Sequence, residues 1–135
     1  MDAVGKSTGE YDTIYIVDPD ESHSAKVSSL LTELGYHTSS FVSAEEFLGG
    51  LAEDTKGCII SEIDLPGING LALLNRLKDR EIELPVIFIT GHENLSTAVE
   101  ACRMRVADYL MKPFIPKALV GRLRNILDEH SASKL

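Results

Sequence analysis

Apolar residues in this chain alternate between short continuous runs and stretches with helical spacing. Thr13-Ile-Tyr-Ile-Val17, Gly57-Cys-Ile-Ile-Ser-Glu-Ile63 and Pro85-Val-Ile-Phe-Ile-Thr90 are β-branched or aromatic runs bounded by turn residues, the pattern of buried strands. Residues 36–41 read as a weaker second strand and 109–112 as a fifth, ending at Pro113. In the intervals, Val27, Leu30, Leu31 and Leu34 recur at helical spacing, with Gly35 where a helix end wants a positive φ. Ser43-Ala-Glu-Glu46 is a capping box opening a helix through Leu48 and Leu51. The turn-rich Leu65-Pro-Gly-Ile-Asn-Gly70 leads into a helix carrying Leu71, Leu74 and Leu77. Residues 95–103 form a fourth predicted helix, and Pro116 opens a last one with Leu119, Leu123, Ile126 and Leu127 on one face.

Five strand–helix alternations with continuously apolar strands imply a sheet covered on both faces. Right-handed crossovers then give an α/β fold, an open parallel sheet between two layers of helices. Its expected extent is residues 13–128, after a loose polar lead-in over 1–12 and before a small polar tail or linker start over 129–135.

Length and composition narrow the function classes. The 135 residues suit one domain with one core, and 44% hydrophobic with 25% charged residues is ordinary for a soluble globular protein. A formal net charge of -8 argues against direct nucleic-acid binding, which needs clustered Lys and Arg. Cys58 and Cys102, in apolar surroundings without a C-x-x-C pattern, read as buried reduced thiols. With no apolar leader and no membrane-length apolar stretch, the expected location is the cytoplasm. His23, His37, His92 and His130 share no metal-ligand spacing and read as solvated or loop histidines.

Chemistry in an open parallel sheet sits at the carboxyl ends of its strands. Those ends here are Asp18, Glu62, Thr90 and Lys112, so two carboxylates, a hydroxyl and an ammonium converge on one rim. Asp20 and Asp64 follow close behind, and with Asp18 and Glu62 they form a candidate acidic pocket, although turn composition explains Asp20 and Asp64 nearly as well.

The segments Ile16-Val-Asp18, Leu65-Pro-Gly-Ile-Asn-Gly70, Ile89-Thr-Gly91 and Lys112-Pro-Phe114 resemble the motifs of response-regulator receiver domains of the CheY-like superfamily. Tyr15-Ile-Val-Asp18, Ser43-Ala-Glu-Glu-Phe47 and Ile89-Thr-Gly-His92 resemble the FixJ-type receivers in particular. The resemblance implies a (βα)5 flavodoxin-like, doubly wound five-stranded parallel sheet of order 2-1-3-4-5. It implies Mg²⁺-dependent phosphorylation of an aspartate by a histidine kinase, read out on the face of the fourth helix, fifth strand and last helix. By position, Asp18 matches the first acid of the metal-binding pair, Thr90 the switch hydroxyl, Tyr109 the switch aromatic and Lys112 the phosphate-pairing lysine. Pro113 matches a proline preceded by a cis bond.

Three positions depart from that pattern: Glu62 stands where the phosphoacceptor Asp belongs, Pro19 where the second acid belongs, and Arg105 where Gly is common. Asp18, Glu62 and Asp64 are the remaining candidates to hold a metal. Without an oxygen at Pro19 they predict weak or no Mg²⁺ binding, so no cofactor is expected. The extra methylene of Glu62 displaces its carboxylate, and phosphoryl transfer rests on position and charge. The expected protein is therefore not an enzyme but an atypical receiver working by protein–protein contact. Its expected partners are a histidine kinase or an output domain, with a homodimer through the readout face. Glu62 either reaches Lys112 and imitates the phosphorylated state, or the two satisfy each other at an idle site. Two other readings stay open: a phosphorylation-competent receiver using Glu62 with Mg²⁺, and the N-terminal part of a longer transcription regulator. A small flavodoxin-like phosphate binder ranks last, for want of a Gly-rich phosphate loop.

Overall fold

The computed structural model describes residues 13–52, 54–91, 100, 103 and 106–132. Strands β1 (Thr13–Val17), β2 (His37–Phe41), β3 (Cys58–Glu62), β4 (Val86–Thr90) and β5 (Asp108–Met111) alternate with helices α1 (Glu21–Glu33), α2 (Ala44–Gly49), α3 (Gly70–Asp79) and α4 (Pro116–Ala132). Every strand pair is parallel, and the order is β2-β1-β3-β4-β5. The fold is thus the doubly wound, flavodoxin-like sheet expected. Of the helix predicted over 95–103, only Glu100 and Arg103 are described, both helical. The lead-in over 1–12, His92, Cys102, Arg105 and the end of the tail lie outside the described residues.

Side chains along each strand alternate between two cores, because successive residues of a pleated strand face opposite ways. Ile14, Ile16, Cys58, Ile60, Ile87 and Ile89 meet Val27 and Leu31 of α1 and Leu119, Leu123, Ile126 and Leu127 of α4. Val17, Ile59, Val86 and Phe88 meet Phe47 and Leu48 of α2 and Leu73 and Leu77 of α3. Three central strands serve two cores at once, which is why they read as unbroken apolar runs. β2, a sheet edge, is the polar His-Thr-Ser-Ser-Phe and only partly buried.

The helix ends follow local chemistry. Ser43 caps α2 by accepting from the Glu46 backbone N–H at 3.0 Å, but the Glu46 carboxylate reaches back to the Val42 N–H at 3.1 Å, one residue earlier than a capping box requires. α2 then stops at Gly49, short of Leu51. After α1, the Gly35 N–H bonds to the Thr32 carbonyl and Tyr36 N–H to that of Leu31, with Gly35 at φ 98°. After α3 the same two bonds recur from Glu81 to Lys78 and from Ile82 to Leu77, but the left-handed residue is Glu81 at φ 58°. Both are Schellman stops, one with the expected glycine and one without.

Not every predicted helical leucine is inward. Leu30, Leu71 and Leu74 are only half-buried and Leu34 is exposed, while Ser24 and Leu73 take buried places. At the start of β3, Gly57 has φ 141°, and a Cβ there would collide with the Thr13 carbonyl of β1. Its bare backbone lets the two central strands come together at their amino ends.

Candidate functional site at the carboxyl rim

β1, β3 and β4 end side by side, placing Asp18, Glu62 and Thr90 on one rim where all three are buried. Asp18 is 1% exposed and Glu62 7% exposed, so neither carboxylate is bathed by solvent. Lys112 follows β5, its backbone N–H donating to the Thr90 carbonyl at 2.7 Å. Its ammonium crosses the rim and donates to Asp18 Oδ2 at 3.1 Å and to Glu62 Oε1 at 3.0 Å. Burial works against the charged lysine, but its hydrogen bonds to Glu62 and Asp18 and the charges of both outweigh it, and the Lys112 pKa lies above its ordinary 10.5.

The other carboxylate oxygens are engaged as well. Asp18 Oδ1 accepts the Asp20 N–H at 2.9 Å, and Glu62 Oε2 accepts the Asp64 N–H at 3.0 Å. Asp20 and Asp64 themselves are exposed. The Asp20 carboxylate caps α1, accepting from the His23 N–H at 3.1 Å. Of the expected acidic pocket, Asp18 and Glu62 are the buried carboxylates, and Asp20 and Asp64 each bond one of them through the backbone N–H. A strand end followed by a tight turn points those N–H groups inward whatever side chain they carry.

His23, expected as a solvated or loop histidine, sits instead in α1 at the rim. It is the third residue of α1, and its Nδ1 lies 3.0 Å from Asp18 Oδ2. A carboxylate only accepts, so Nδ1 carries the proton. The imidazole also packs edge-on to Phe114, with ring centroids 5.7 Å apart and planes at 85°. The signal that would have found it is positional: a helix starting at a rim carries its first turn beside the strand end. Glu45 was missed too, and its carboxylate accepts the Ile68 N–H at 3.1 Å, tying the loop after β3 to α2.

Tyr109 is partly buried against the core that contains Phe88. Next to it, Asp108 Oδ1 accepts from Arg122 Nη1 at 2.6 Å, joining β5 to α4. The Lys112–Pro113 peptide bond is cis.

These residues do not fit a magnesium ion. Mg²⁺ demands near-octahedral oxygen ligation at roughly 2.0–2.1 Å. Here the position that bridges both carboxylates holds the Lys112 ammonium, a second donor already meets Asp18 Oδ2, and Pro19 offers no side-chain oxygen. Among the described residues no three His, Cys, Asp or Glu side chains are grouped so as to hold a metal ion, and no helix is long and apolar enough to cross a membrane.

Residues 14–124 match the model of the response regulator receiver domain. The transcriptional regulatory protein FixJ of Bradyrhizobium diazoefficiens is 32% identical over 114 residues, covering 84% of this chain and 56% of its own length. The DNA-binding transcriptional regulator NtrC of Klebsiella pneumoniae is 41% identical over 100 residues, covering 74% of this chain and 21% of its own length. The chain thus spans about half the length of the first relative and about a fifth of the second. The crystal structure of FixJ-N superposes with a TM-score of 0.78 at 32% identity, covering 84% of this chain and 90% of that one. A CheY-like receiver from Methanospirillum hungatei does so with a TM-score of 0.84 at 25% identity, covering 91% and 98%. Sheet order and family match agree: the chain belongs to the response regulator receiver family of two-component signalling, with FixJ-like homologues.

Proposed function

We propose that this receiver is atypical and signals through protein–protein contact without taking up a phosphoryl group. The observation that carries the reading is the Lys112 ammonium bonded to both buried carboxylates of the rim. In the receiver pattern that lysine pairs an incoming phosphoryl group; here the Glu62 carboxylate takes its place. Phosphoryl transfer depends on charge neutralisation and in-line placement; among the described residues the rim has no metal seat, and both carboxylate oxygens of Glu62 are already engaged. The protein is then not an enzyme but a module whose rim is fixed in one state.

Its partners are proteins: a histidine kinase or an output domain, and a second copy through the face of β5, α4 and the helix expected over 95–103. FixJ and NtrC, two of the relatives named above, are transcriptional regulators, which supports an output module as the recipient of the signal. The overall acidity disfavours nucleic acid on this domain itself, and the working place is the cytoplasm, where two-component signals are read.

The test is treatment with acetyl phosphate and Mg²⁺, followed by intact mass and by amide shifts at Thr90, Tyr109 and Lys112 on adding beryllofluoride. The expected result is no phosphoryl adduct and no saturable shift. An acid-labile adduct on Glu62 would replace this reading with the phosphorylation-competent one.

A further inference from the structure

Pro19 and Glu62 explain a missing oxygen and a displaced carboxylate, but not what holds the rim closed. The first turn of α1 grips Asp18 at both oxygens: the Asp20 N–H takes Oδ1 at 2.9 Å and the His23 imidazole takes Oδ2 at 3.0 Å. Oδ2 is also the atom that meets Lys112 at 3.1 Å, so His23 and Lys112 converge on a single oxygen of a carboxylate that is 1% exposed. The His23 ring is wedged edge-on against Phe114, the second residue after Lys112. To swing away it must leave that contact, so the imidazole ties the start of α1 to the 112–114 segment.

We propose that His23 is a positioning residue that closes this rim to divalent cations. Its Nδ1–H holds Asp18 turned toward the Lys112 ammonium, and the two donors fill the place an external cation would need. The proposal rests on the reading of the receiver as phosphorylation-independent and adds to it the residue that enforces it. Loss of the acid at position 19 is then one of two barriers, and restoring it alone leaves the other standing.

The experiment compares Mn²⁺ binding, followed by water proton relaxation, in the unaltered protein, Pro19→Asp, and Pro19→Asp/His23→Phe. Phe keeps an aromatic ring against Phe114 and deletes only the donor, so a purely packing role for His23 predicts no change between the two variants. Far-UV circular dichroism and thermal melts establish folding, and Pro19→Asp/His23→Ala serves if the Phe variant is not native. The expected result is no saturable binding by the unaltered protein and weak binding by Pro19→Asp. The double variant should bind more tightly than Pro19→Asp by about ten-fold or more, the usual size of an effect from a residue orienting a metal-binding group. Equal affinity in the two variants, or no binding by either, overturns the role of His23 while leaving the proposed function in place. Saturable Mn²⁺ binding by the unaltered protein overturns the proposed function itself, and this proposal with it.

Discussion

The Lys112 ammonium lies 3.0 Å from Glu62 Oε1 across a separation of 50 residues, and the same nitrogen meets Asp18 Oδ2 at 3.1 Å. Removing one partner of a buried ion pair strands the other, at a cost of about 3–5 kcal/mol. The Lys112 side chain is partly exposed, so Lys112→Met, which strands two carboxylates beside each other, should lower stability by about 2–3 kcal/mol, below that full cost, in a urea denaturation series. A loss under about 1 kcal/mol would mean that the contact behaves like a surface pair.

The same contact sets a dependence on pH at the alkaline end. The Lys112 pKa is raised in the folded protein because its hydrogen bonds and the facing charges outweigh burial. Its stabilising contribution is therefore complete below the unfolded-state value of about 10.4 and fades as pH rises through the higher folded value. The stability difference between the unaltered protein and Lys112→Met should stay level from neutrality to about pH 10 and shrink above it. Denaturation at stepped pH reads this directly, and a difference that already declines near pH 8 would contradict it.

Two helix ends with one geometry give a paired test. Gly35 and Glu81 hold the same left-handed place in two Schellman stops. A side chain there costs roughly 1–2 kcal/mol. Gly35→Ala should destabilise by about that much, whereas Glu81→Gly should stabilise by about 0.5–1 kcal/mol once the looser unfolded chain is counted. Opposite signs in thermal melts are the expected outcome.

Burial pushes the Cys58 thiol up to about 12. Thiolate is the reactive form, so at pH 8 the folded protein should alkylate at this residue about a thousand-fold more slowly than the unfolded chain. In a Cys102→Ser background, iodoacetamide labelling should then track unfolding. Rapid labelling without denaturant would show that β3 opens locally.

The fold was legible because each central strand serves two cores, so Ile14 to Val17 and Val86 to Ile89 carry no polar interruption. Asp18, Glu62, Thr90 and Lys112 were legible as strand ends. His23 was legible only in part: it stands four residues before Val27 and eight before Leu31, on the inward side of α1, but that spacing does not say what its imidazole meets at the rim. The backbone N–H groups of Asp20 and Asp64, which bond the Asp18 and Glu62 carboxylates, were not legible, because composition reports side chains and not where a turn aims its amides. Half-buried Leu71 and Leu74 belong to the same class, because spacing finds a helical stripe but the docking angle decides which leucine goes deepest. At Glu81, nothing in the residue type announces a left-handed turn.

The ion pairs at Lys112 also place the rim in time. Asp18 and Lys112 are 94 residues apart, and their contact closes only when the last strand has docked beside the others. Closing a loop of this length costs chain entropy, and the contact is expected to form on the native side of the folding transition state. Substituting Lys112 should therefore hasten unfolding while leaving the refolding rate almost unchanged. The rim acts as a catch that engages after assembly, setting how long the native state lasts rather than how quickly it is reached.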